Sequence, residues 1–83
     1  MVKKDRKLRA AEYNAGVLKA AIDSLGVAWN ELSGLHGDDA SVERLRIEGI
    51  LLDLNSRRVR IAAEHGLAIS EPEVLASLKE RRR

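Results

Sequence analysis

The sequence predicts an all-α fold: an antiparallel helical hairpin with a short C-terminal third helix, completed as a bundle by dimerisation. Three observations lead there. The composition is that of helices, rich in Ala, Leu, Arg and Glu with a single proline. Glycines break the chain at Gly34–Gly37 and again at Gly66. Between the breaks, apolar residues recur at alternating steps of three and four, the spacing of one helix face.

The first helix is expected near 4–33. Leu8, Ala11, Ala15, Leu18, Ile22, Leu25, Trp29 and Leu32 step along it without a miss. Gly16 and Gly26 weaken it, and Gly26 marks a place where it would kink or break. Gly34-Leu35-His36-Gly37-Asp38-Asp39 reads as the connecting loop, with an aspartate capping the second helix.

The second helix is expected over 40–65, with Gly66 as its left-handed end and Leu67 as the contact of a Schellman motif. Val42, Leu45, Gly49, Leu52, Ser56, Val59, Ala63 and Gly66 keep the rhythm of the first helix. Folding back at the loop pairs Trp29 with Leu45, Leu25 with Gly49, Ile22 with Leu52, Leu18 with Ser56 and Ala15 with Val59. Leu8 likewise falls opposite Gly66, and at four of these six levels a large residue meets a small one, which lets the helices approach closely. Ser70-Glu71-Pro72-Glu73 resembles a capping box opening a third helix over 71–81.

A second apolar stripe, Ile47, Ile50, Leu51, Leu54 and Ile61, lies on the other side of the second helix. Val74, Leu75 and Leu78 of the last helix are expected to cover Ile61 and Leu54 while stopping short of Ile47. Ile47, Ile50, Leu51 and Leu54 therefore become the expected self-association surface, with Tyr13, Val17, Ala20 and Val27 joining it from the first helix. A second copy of the chain would cover them.

Residues 1–83 read as one domain with a thin core. Without cysteine there is no disulfide framework, and no apolar run approaches the ~20 residues of a membrane span. A cytoplasmic protein without membrane association is expected. The charge is unevenly spread: 1–7 form a basic arm, residues 10–43 are acidic, and 79–83 form a basic end. Lys3, Lys4, Arg6, Lys7 and Arg9, with Arg81, Arg82 and Arg83, are the clusters that would contact nucleic acid. Elsewhere most arginines read as paired at helical spacing, Arg44 with Glu48, Asp53 with Arg57 and Arg60 with Glu64, with Arg46 and Arg58 left over.

No residue set carries catalysis: a cysteine nucleophile, a phosphate loop and an interpretable Ser/His/Asp pattern are all missing. His36 beside Asp38 and Asp39 has metal-ligand types, but Asp38 and Asp39 read more simply as helix-start charges. No cofactor is expected. "AEHGLAI" is similar to the long helix of helical chorismate mutases, yet the position eleven beyond Arg57 is Ala68 and not the lysine that fold needs.

"LAISEPEVLASLK" resembles the turn and recognition helix of bacterial helix-turn-helix repressors, with Ile69, Val74 and Leu78 at the packing positions. That resemblance implies DNA reading by the last helix. Two departures weigh against it: Ala68 stands where the turn places glycine, and Glu71 and Glu73 occupy the turn that would face phosphates. The expected function is thus a non-enzymatic helical module that self-associates and docks onto a partner protein. The alternative is a small DNA-associated protein using its basic termini.

Overall fold

The structure is a computed structural model that describes residues 2–35, 37 and 39–81, with side chains described from Arg6 to Glu80 apart from residues 36 and 38. Three helices follow in order: α1 (Val2–Leu32), α2 (Ser41–His65) and α3 (Glu73–Arg81). No strand occurs among the described residues. The expected helix bounds agree to within two residues.

α1 runs unbroken through both glycines, so Gly26 does not break it. Its C-terminal end is satisfied locally. Ser33 donates both its amide (3.0 Å) and its hydroxyl (2.8 Å) to the Trp29 carbonyl. The expected aspartate cap of α2 is not what starts it. Ala40 stands at the N-cap in the left-handed region (φ 63°), with no side-chain capping bond, and its carbonyl accepts the first helical bond from the Arg44 amide at 2.9 Å. A left-handed alanine costs about 1 kcal/mol, which the packing of the hairpin must offset.

The end of α2 matches expectation. Gly66 is left-handed (φ 66°), and both its amide and that of Leu67 (2.9 Å) reach back to the Ala62 carbonyl. The Leu67 bond closes the six-residue loop of a Schellman motif. The capping box does not form as expected. α3 begins only at Glu73, and the Pro72 carbonyl accepts from Leu75 (3.0 Å), which leaves Ser70 too early to cap it.

α1 and α2 pack antiparallel, as Trp29 lying against Arg44 and Ile22 clustering with Leu51 require. Along the helix axis the expected register is right to one residue: the rhythm predicts Leu45 opposite Trp29 and Leu52 opposite Ile22. Around the axis it is not. The inward stripe of α2, Arg44, Ile47, Leu51, Leu54, Arg58 and Ile61, lies two positions after the expected one, a rotation of about 200° or roughly half a turn. Leu51, Arg58 and Ala62 are buried, while Leu45, Gly49, Leu52, Ser56, Val59 and Ala63 are exposed. A Cβ added at Gly49 would meet nothing within 4 Å, so Gly49 does not accommodate Leu25.

The core joins Ile22 and Trp29 of α1, Leu51 of α2 and Val74, Leu75 and Leu78 of α3, with Leu25, Ile47 and Leu54 packed against it. Ile47 is therefore covered within the chain, contrary to expectation, by the core that α3 joins. Residues 67–72 carry α3 there: six residues in extended form span up to about 20 Å. They run back along α1, past Ala15, Gly16 and Lys19 and then Asp23 and Gly26. The molecule is a thin rod of 56 × 21 × 15 Å. Its radius of gyration is 15.3 Å, against about 12 Å for a compact chain of this length.

Candidate interaction surface

α2 carries two apolar heptad stripes displaced by roughly half a turn. The inner one contains Arg44, Ile47, Leu51, Leu54, Arg58 and Ile61, all buried or half-buried. Its two arginines are the feature that sequence reasoning missed. Arg44 lays its guanidinium over the Trp29 ring, 5.5 Å from the centroid, an attraction between cation and ring face. Arg58 is 95% buried, the counterpart of its 5% exposure, and its Nη1 donates to the Ser70 carbonyl at 2.9 Å. That bond ties the extended 67–72 segment to α2. Long basic side chains can bury their stems in this way while their heads find a partner. The recurrence of 44, 51 and 58 at heptad spacing was the available signal.

The outer stripe lies on the side of α2 away from the core, with Val59 at its C-terminal end bordering a cleft shared with Ile69, Glu71 and, from α3, Lys79. Val42, Leu45, Leu52 and Val59 stand on it, Leu45 being 66% exposed and Leu52 39%. Gly49, Ser56 and Ala63, also exposed, alternate with them. The result is a seam of large and small residues at steps of three and four, left open to solvent by the described part of the chain. Arg46, Asp53 and Arg60 border the seam on one side, all exposed, and Asp53 also contacts Arg57 at 3.5 Å within α2.

The expected self-association residues are therefore redistributed. Leu51 is fully buried, and Ile47 and Leu54 pack against the core, so these three are used within the chain. Ile50 alone of the four stays largely exposed. Tyr13, Val17 and Val27 are exposed on α1, as expected of its outer stripe.

Of the basic residues, Arg6, Lys7 and Arg9 are exposed near the start of α1. The side chains of Lys3, Lys4 and Arg81 lie outside those described, as do residues Arg82 and Arg83 and the loop residues His36 and Asp38. α3 meets α1 at Gly26, about 25 Å along the helix from Arg9. Val74 and Leu78 face inward as the helix-turn-helix resemblance implies, while Ile69 is partly exposed and Glu71 is held by Lys79 at 2.7 Å.

Among the described residues no group of three or more His, Cys, Asp or Glu is placed to hold a metal ion. No described helix is long and apolar enough to cross a membrane. The chain matches no protein-family profile, no curated protein and no solved structure.

Proposed function

We propose that the protein is a non-enzymatic helical interaction module that self-associates and docks onto a partner protein, with the outer face of α2 as its contact surface. One observation carries this reading: the exposed heptad seam of Val42, Leu45, Leu52 and Val59 on the side of α2 away from the core. Exposed apolar residues scattered singly are ordinary, but a contiguous stripe at coiled-coil spacing is a surface another helix fits. Sedimentation velocity from about 1 to 100 μM, a range that brackets micromolar affinities, tests it. The parent chain is expected to grow in mass with concentration. The double variant Leu45→Glu/Leu52→Glu is expected to stay helical and monomeric, because both side chains lie outside the core. A parent chain that stays monomeric throughout contradicts the self-association.

A second reading, contact with nucleic acid, is supported by the exposed ridge of Arg6, Lys7 and Arg9. It requires salt-sensitive binding, whose log–log slope falls by about one unit for each phosphate contact removed. Glutamine at these three positions would test it by fluorescence titration of a labelled duplex. An unchanged slope would dismiss the ridge as the contact.

A further inference from the structure

We infer that the occupant of the α2 seam is the α2 seam of a second copy, laid antiparallel, with Leu52 of each chain over the partner's Gly49. Leu45 then lies over the partner's Ser56, and Val42 beside the partner's Val59. This rests on the outer face of α2 being a contact surface and specifies what fills it.

The surface area calls for such a neighbour. The chain exposes 6288 Å², whereas a compact monomer of 9.2 kDa exposes about 4,900 Å². The excess of about 1,400 Å² comfortably exceeds the ~800 Å² that each partner contributes to a standard interface.

Shape selects the orientation. In a parallel pair the seam positions meet their own copies, so Gly49 would face Gly49 and Ser56 would face Ser56. Alternate layers would be left hollow, and voids in a packed seam are costly. In the antiparallel pair each leucine meets a small residue in every one of these layers. The contact is also isologous, so it closes at two chains.

Charge selects the register. An antiparallel seam brings like heptad positions together along its borders, and here those positions hold Arg46, Asp53 and Arg60. With Leu52 over Gly49, Arg46 of each chain lies beside the partner's Asp53, and the pair occurs twice. Sliding by one heptad, with Leu52 over the partner's Ser56 and Leu45 over the partner's Ala63, preserves the large-on-small fit. That slide sets Arg46 against Arg60 and Asp53 against Asp53, a juxtaposition of like charges. Only the first register satisfies both shape and charge.

Charge exchange tests the register. Arg46→Glu and Asp53→Lys are each expected to weaken association about tenfold in sedimentation equilibrium, since attraction becomes repulsion at two symmetric places. The double variant is expected to regain affinity to within about threefold of the parent, with unchanged helicity by circular dichroism. The orientation has its own measurement. The two-fold axis passes between Ile50 and Leu51, level with Ile22 of α1. Because the chain has no cysteine, a spin label on Lys7→Cys is unique. The antiparallel pair places the two labels about 50 Å apart or more, a parallel pair about 30 Å. An associating parent in which the double exchange fails to restore affinity, or in which the labels lie near 30 Å, overturns this arrangement while leaving self-association standing. A parent that is monomeric at about 100 μM overturns both.

Discussion

Gly26 and Val74 meet where α3 crosses α1: a Cβ built on Gly26 would lie 3.0 Å from the Val74 Cβ and 3.2 Å from both its methyl carbons. Since the Val74 Cβ is anchored to its own backbone, α3 would have to move to make room. In sequence terms Gly26 is a weak point in a helix. In the fold it is the seat of the third helix, and this explains why α1 tolerates it without a break.

Gly26→Leu is therefore expected to destabilise the protein by about 1–3 kcal/mol through overpacking, despite a helix-propensity gain of about 0.5–1 kcal/mol. Gly16 is the contrast within the same helix, being exposed with nothing within 4 Å of an added Cβ. Gly16→Ala should show the propensity gain alone, about 0.5–1 kcal/mol of added stability. Urea denaturation of both variants is the measurement. Equal effects would deny the Gly26–Val74 contact.

Arg58 supports a second expectation. Replacing it with methionine keeps most of the apolar stem but removes the donor to the Ser70 carbonyl. Leaving that bond unmade should cost about 1–3 kcal/mol. The loss should be local first, with faster amide exchange at Leu67–Glu71, because Arg58 is what holds this extended segment to α2. Exchange rates unchanged in that segment would show that Arg58 only fills space.

Much of this architecture is legible in the residues. Gly66 and Leu67 announce the end of α2 through backbone geometry that few other residues adopt. The apolar steps of α1 identify its buried face, since Ala11, Ala15, Ile22 and Trp29 are all buried. The axial register is set by the loop position. What sequence alone misplaced is the rotation of α2. Its two stripes share one heptad rhythm, and the inner one is disguised by Arg44 and Arg58, whose burial depends on partners from α1 and the 67–72 segment. The outer one looks like a seam for α1 because Gly49, Ser56 and Ala63 supply the small residues a close helix would need. In the proposed dimer Gly49 and Ser56 do serve a close helix, that of a second chain. The reach of α3 was likewise hidden, because nothing in "LAISEP" states how far an extended segment will travel before it docks.

The rotation of α2 is the premise of both the core and the proposed interface, and two adjacent leucines decide it. Leu51 has no exposed surface, whereas Leu52 retains 39%. Circular dichroism and Trp29 fluorescence of Leu51→Glu and Leu52→Glu give the direct measurement. Leu51→Glu should lose the fold, because a carboxylate buried without a partner costs several kcal/mol and a chain this small has little stability in reserve. Leu52→Glu should retain helicity and a buried tryptophan while losing association. The opposite pattern, a folded Leu51→Glu and an unfolded Leu52→Glu, would contradict the account.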